Sequence, residues 1–378
     1  MAYLTKEQEL WCEAQADEAI MLLRSLGRIP APSLHEERRA EFVKSWLNVQ
    51  GAKNVYVDEA LNVVLPLGVT EHNPVAVIMA HTDIVFPDTE DFVIREEGGR
   101  MYAPGIGDDT ANLVALMMAA KYAIHCGKKP EIGVLIVANA GEEGLGNLKG
   151  SKRIMEDYSE RVRELISIDG DMKHVVNKAV GSVRMKITVR AEGGHSYGAY
   201  GNTNAIVHMA RVIQKLYEKT PPTKAKTTYN VGVIEGGTTV NTICDRCSIL
   251  YEYRSEDREC LQEMSEFFDQ TIQSLKQEGL DISVEVLGVR PCTGDVDENA
   301  LEDLSSRMAG ILKHWTGEEI AFTSGSTDAN SALAIGVPAV TIGAVEGGKE
   351  HTREEWINIA SLTTGLKSAL SVVLAYFK

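Results

Sequence analysis

The stretch Val75–Asp83, VAVIMAHTD, decides the fold. Apolar or small residues run from Val75 to Ala80, and then come His81, Thr82 and Asp83. A short apolar run of this kind predicts a strand buried on both faces, as a parallel sheet requires. It is far shorter than the roughly 20 residues of a membrane-crossing helix. His81 and Asp83 are two residues apart, so on a continuing strand their side chains point the same way. A histidine whose tautomer is fixed by a carboxylate is a common pair at metal sites. His-x-Asp alone is equally at home as an ordinary strand end, so the metal reading depends on what the other strand ends carry.

Outward from this strand the chain alternates. Residues 5–26 read as a helix capped by Thr5, with Gln8 at the capping-box position. After Pro30-Ala-Pro32, Ser33 is expected to cap a second helix over 34–50, ended by Gly51. Val55–Val57 and Val63–Leu67 read as short strands, Asn112–His125 as an apolar helix and Glu131–Ala140 as a second buried strand. Lys149–Asp157 reads as a helix, and Glu164–Ile168 as a third buried strand ending at Asp169. The alternation predicts an α/β domain whose mostly parallel central sheet is flanked by helices. From Ser182 the texture changes to a half-exposed alternation, SVRMKITVRA, and the order becomes β-α-β-β-α-β, that of a ferredoxin-like α+β sandwich. After Pro291 the first texture returns, with a helix at 299–315, a strand at Ala339–Gly343 and a last helix at 356–376. One domain (1–181 and 292–378) is therefore expected to carry another (182–291) as an insertion.

The 378 residues suit about two or three domains, and 44% hydrophobic content suits a globular core. A net charge of −16 argues against nucleic acid and anionic membrane as partners, because both need a basic surface. The six cysteines are scattered, and a chain this long needs no disulfide staples, so a reducing compartment is expected. Residues 1–30 show no basic, apolar and small-residue series of a signal peptide, and a cytoplasmic protein is the expectation.

Ligand sites of open α/β sheets lie at the strands' carboxyl ends, and oxygen and nitrogen donors gather there. Asp108 and Asp109 follow a Pro-Gly-Ile-Gly turn and precede a helix; an N-cap is the alternative role for one of them. Glu142 and Glu143 lie between glycines after the second buried strand. Adjacent carboxylates repel unless a cation compensates them or water solvates them. Asp169 ends the third strand, and His351 follows the glycine-rich segment Gly343–Gly348. Two histidines (His81, His351) and three carboxylates (Asp108, Glu143, Asp169) suit two divalent ions with one carboxylate shared, as in two-metal hydrolases. Mixed nitrogen and oxygen donors suit zinc, cobalt or manganese. Asp83 is then placed to orient His81, and Glu142 is left over to act as general base on a water.

These residues resemble those of the M20 metallopeptidases, the group of peptidase T, aminoacylase and succinyl-diaminopimelate desuccinylase. The resemblance runs over almost the whole chain. It includes Pro30–Glu36 (PAPSLHE), Asn62-Val63, His81-Thr-Asp83, Gly105–Asp109 (GIGDD), Gly141–Gly144 (GEEG) and Asp169-Gly170. Further on it includes Gly194-His195, Asn204-Ala205, Val240-Asn241-Thr242, Gly325–Asp328 (GSTD) and His351. It implies that His81 and Asp169 hold one metal, that Glu143 and His351 hold the other, and that Asp108 bridges them across a cis peptide to Asp109. It also implies that Glu142 is base and proton shuttle and that the inserted domain is a lid and dimerisation domain, hence a homodimer. His195 would complete the oxyanion site, in many members from the partner subunit. Arg254 would stand near a substrate carboxylate, with a surface ion pair as its plain alternative, and Asn241 would contact substrate. The chain departs from the pattern at Thr110, where many members have Lys; this bears on the substrate rather than the metals. An aspartate at 169 goes with aminopeptidase and dipeptidase members, so cleavage of di- or tripeptides, as by peptidase T, is the first expectation. An N-acyl-amino-acid deacylase is the alternative, and an inactive scaffold a third reading. Cys244 and Cys247 form one isolated CxxC inside a predicted strand, where packing outweighs a zinc or redox role.

Overall fold

The computed structural model describes residues 3–158 and 160–378. The chain divides into two compact units, Met1–Ala179 with Gly294–Lys378, and Val180–Thr293.

The first unit is built on an eight-stranded sheet. Its strand order is Tyr56–Val57, Val63–Leu67, Gly133–Asn139, Val75–His81, Val162–Ile168, Ala339–Ile342, His174–Ala179 and Ala321–Gly325. The central four, Gly133–Asn139 to Ala339–Ile342, run parallel to one another. Val75–His81 is buried along its whole length, as its unbroken apolar run requires. One face of the sheet meets helices Ala16–Gly27, Asn112–His125, Glu298–Thr316 and Ser361–Leu374, and these share the larger core with Ile78, Ile136 and Ile166. Val77, Met79 and Leu135 face the other way, into a core with Ile154 and Leu333. The parallel direction puts the carboxyl ends of all four central strands on one edge. His81 ends Val75–His81, Glu142 and Glu143 follow Gly133–Asn139, Asp169 follows Val162–Ile168, and Ala339–Ile342 leads towards His351.

Four sequence expectations are corrected. The first helix breaks at Gln15 into Lys6–Ala14 and Ala16–Gly27, with the Thr5–Gln8 capping box present. Ser33 does not cap the second helix, because its hydroxyl donates to Asp83 Oδ2 at 2.6 Å; that helix starts at Glu37. The last helix begins at Ser361 rather than 356, since Trp356–Asn358 pairs as a strand with Arg100–Tyr102. Strands His174–Ala179 and Ala321–Gly325 were not expected. They pair with each other at the sheet's edge, where half-exposed residues leave little hydrophobic pattern.

In the second unit, apart from the two-residue strands Gly194–His195 and Thr242–Ile243, the elements follow β-α-β-β-α-β order. Four antiparallel strands lie in the order Thr227–Gly236, Arg246–Ser255, Gly181–Arg190 and Asp281–Arg290. Met185, Ile187 and Val189 pack with Met209 and Val212 of helix Ala205–Leu216 and with Met264 and Phe268 of helix Arg258–Gln277. Side-chain caps from Asn204 and Asp257 start these helices. Cys244 and Cys247 are buried in this core, and all six cysteines are free thiols. Among the described residues no helix is long and apolar enough to cross a membrane.

Candidate metal centre

At the carboxyl edge of the first unit's sheet, His81 is buried with both ring nitrogens engaged. Nδ1 lies 3.1 Å from the Asp83 carbonyl oxygen and 3.4 Å from Asp83 Oδ1, so its proton faces Asp83. Nε2 lies 3.0 Å from Asp108 Oδ1. The other oxygen of Asp108 lies 3.1 Å from His351 Nε2, which is also 3.1 Å from Glu143 Oε1. Asp108 thus stands between the two imidazoles with one oxygen for each. The Asp108–Asp109 peptide is cis, and Asp109 turns inward to accept the His81 amide at 2.8 Å.

Asp83 organises the opposite wall. Its carboxylate accepts the amides of Glu142 and Glu143, each at 2.9 Å, and the Ser33 hydroxyl. Buried Glu142 brings a carboxylate oxygen into one group with donors of His81 and Glu143. Two more groups are His81 with Asp108 and Asp169, and Asp108 with Glu143 and His351; within each, one donor atom per residue lies within 4.8 Å of the others.

Two divalent cations fit this donor set. Donors 3.0–3.1 Å apart can serve one ion through bonds of about 2.1 Å. Charge makes the same point. Asp83, Asp108, Asp109, Glu142, Glu143 and Asp169 converge on two imidazoles, and the charge of the buried Arg39 acts on Asp83 and Asp109. Burial, reinforced by Asp108, pushes Asp169 up to about 7, and burial raises Glu143. Burial also acts on Asp108, but hydrogen bonds to His351 and His81 outweigh it and hold that carboxyl below its ordinary value. His351, hydrogen-bonded to Asp108 and Glu143, is pushed up to about 11. A cluster that must hold protons to balance its own charge is one that divalent ions can occupy in their place.

The remaining candidates lie in the second unit. His195 and Asn241 are neighbours at a short antiparallel strand pair: His195 pairs with Thr242, and the Ser196 amide donates to the Asn241 carbonyl at 2.9 Å. His195 is exposed, and its Nδ1 accepts the amides of Tyr197 and Gly198 at 3.3 and 3.2 Å. Arg254 makes a two-bond pair with Glu252, both bonds 3.0 Å.

Two buried charged residues that frame the first unit's cluster escaped the sequence reading. Arg39 donates to the carbonyls of Ile29 and Thr82 and to the Thr110 hydroxyl. Its sequence signal is an arginine beside Ala40, Val43 and Leu47 on the helix's buried face. Glu355 accepts three main-chain amides of the Gly105–Asp108 loop. Nothing in HTREEW separates it from its exposed neighbour Glu354.

The model of peptidase family M20/M25/M40 matches residues 77–375. A succinyl-diaminopimelate desuccinylase of Corynebacterium glutamicum is 25% identical over 356 residues, 92% of this chain and 93% of that protein. A tripeptidase of Staphylococcus aureus has the same fold, with a TM-score of 0.76 and 21% identity over 96% of this chain and 98% of that one. The dinuclear metal-binding peptidase YXEP of Bacillus subtilis, of the M20 family, aligns with a TM-score of 0.63 and 14% identity over 96% and 99%.

Proposed function

Since the chain belongs to peptidase family M20/M25/M40, we propose that it is a two-metal hydrolase that releases the N-terminal residue of di- and tripeptides. The observation that carries this reading is Asp108, with one oxygen towards His81 and the other towards His351. His81 and Asp169 would hold one ion and Glu143 and His351 the other, with Asp108 common to both. Zinc is the first choice, with cobalt and manganese as alternatives. When bound, the ions polarise the scissile carbonyl and lower the pKa of the attacking water.

The other roles fall to side chains. Glu142, its main chain held by Asp83, takes the water's proton and passes it to the leaving nitrogen. His195 accepts amides at Nδ1, so its ring proton sits on Nε2, where it can donate to an oxyanion. Arg254 suits a substrate carboxylate by its fork geometry, in exchange for or shared with Glu252. Asn241, beside His195, would contact the peptide. The second unit would act as lid and as the surface of a homodimer, and the enzyme would work in the cytoplasm.

The aspartate at 169, together with the fold likeness to a tripeptidase, supports free-amino peptides as substrates. The 25%-identical desuccinylase supports a second reading, an N-acyl-amino-acid deacylase. The deciding experiment takes chelated protein reloaded with zinc, cobalt or manganese. It compares a free-amino dipeptide and tripeptide with their N-acetyl forms and an acyl amino acid. Metal-dependent release of the N-terminal residue from the tripeptide is expected. Cleavage of the acylated compounds alone would move the enzyme to the deacylases, and no turnover with any metal would refute both.

A further inference from the structure

Three amides of the loop that carries Asp108 donate to a side chain. Gly105 is left-handed, with φ 66°, and Asp108 lies outside helical geometry, with φ −105° and ψ 87°. Amides exposed by such a loop need acceptors when they are buried. One side chain supplies them. Glu355, 1% exposed, accepts Gly105 N at Oε2 (2.9 Å) and both Gly107 N (2.7 Å) and Asp108 N (2.8 Å) at Oε1. The approach is close: a Cβ added at Gly107 would meet Oε1 at 3.3 Å and Ile357 Cγ2 at 3.1 Å.

The same short segment carries His351, whose ring reaches Asp108 Oδ2 at 3.1 Å. The Glu355 amide donates to the Thr352 carbonyl at 3.2 Å, closing the turn between the two residues. Trp356–Asn358 then locks the segment to Arg100–Tyr102 in a strand pair. Residues 351–355 therefore grip Asp108 twice, through its side chain by His351 and through its main chain by Glu355. Both Glu355 oxygens are committed to amides of the loop.

We propose that Glu355 is a positioning residue of the metal centre, holding the Asp108 main chain where one carboxylate can serve two ions. The proposal rests on the two-metal reading above and extends it to a residue that touches neither ion. A glutamine here has one acceptor oxygen and turns an NH2 group towards amide donors. Glu355→Gln should therefore release one side of the loop while preserving shape.

The test is titration of chelated protein with Co(II), read by visible absorption and by competition with a chromophoric chelator. Wild type should take up two ions per chain. Glu355→Gln should weaken at least one site by about ten- to a hundredfold, the range typical of residues that orient metal ligands, and should alter the Co(II) spectrum. Glu354→Gln, at the exposed neighbour paired with Arg95, should change neither. Wild type that binds no ion would sink the two-metal reading itself. Wild type with two ions and a Glu355→Gln variant of equal affinity and unchanged spectrum would overturn the positioning role alone. If Glu355→Gln does not fold, Glu355→Asp and Gly107→Ala provide the same comparison. The first keeps the charge but falls one methylene short, and the second crowds Oε1; unchanged affinity and spectrum in a folded member of this pair would equally overturn the role.

Discussion

The amide of Glu142 donates to Asp83 Oδ1 at 2.9 Å. Asp83 is therefore more than a support for His81. Its other oxygen holds the Glu143 amide and the Ser33 hydroxyl, so one buried carboxylate ties an imidazole to the loop bearing both glutamates. In Asp83→Asn, an NH2 group must face donors that the carboxylate now accepts. We expect metal affinity or kcat to fall by about ten- to a hundredfold, with circular dichroism near that of wild type. Chelator competition and steady-state kinetics measure the two; a variant normal in both would show that Asp83 orients nothing that matters.

Glu142 poses a sharper question, because its carboxylate shares a donor group with His81 and Glu143. If it is the general base, Glu142→Ala keeps both ions and loses turnover by about 10²–10⁴-fold. Metal analysis of the purified variant beside its activity is decisive. Loss of an ion along with activity would make Glu142 a ligand, and retained activity would remove it from the chemistry.

Much of the first unit was legible because burial imposes simple patterns. The Asn112–His125 helix matches its sequence reading at both ends, and VAVIMA lies in the central strand it predicted. His81 and Asp169 could be located because a parallel sheet delivers its strand ends to one edge. Glu355 could not, because it accepts amides from a loop about 250 residues earlier, and main-chain donors leave no mark on a sequence. Ser33 was misread for a related reason: the capping rule concerns the next few residues, and Asp83 competes from across the fold. His174–Ala179 escaped because its partners, Ala321–Gly325 at the sheet edge and the more central Ala339–Ile342, are distant in the chain.

Glu36 gives a stability prediction with a definite sign. It is 1% exposed; one oxygen accepts the Leu34 amide at 2.8 Å, and the other has no hydrogen-bond partner among the described residues. Burial, and after it the charge of Asp83, pushes its carboxyl from 4.5 up to about 7. The folded chain holds this proton up to about pH 7 while the unfolded chain releases it near 4.5, so folding takes up a proton in that window. The contribution is fully present below 4.5 and is lost as the pH rises through about 7. Glu36→Gln should match wild type at pH 4.5 and gain stability towards pH 8, by at most about 3 kcal/mol. Thermal melts across that range would show it; a difference that is flat with pH would mean Glu36 keeps an ordinary carboxyl.

His195 offers a test that also reads the assembly. Its exposed ring, with Nδ1 accepting two amides, is free to donate from Nε2. As an oxyanion donor its removal in His195→Ala should cost about 10²–10³-fold in kcat while metal content stays at the wild-type level. If His195 serves the partner subunit's centre, mixing inactive His195→Ala with inactive Glu142→Ala should restore activity. A mixed dimer then contains one site with both natural residues, and random pairing of equal amounts gives about a quarter of wild-type turnover. If His195 acts within its own chain, no mixed dimer has an intact site and nothing is restored. Light scattering on the same samples separates this case from a protein that does not dimerise.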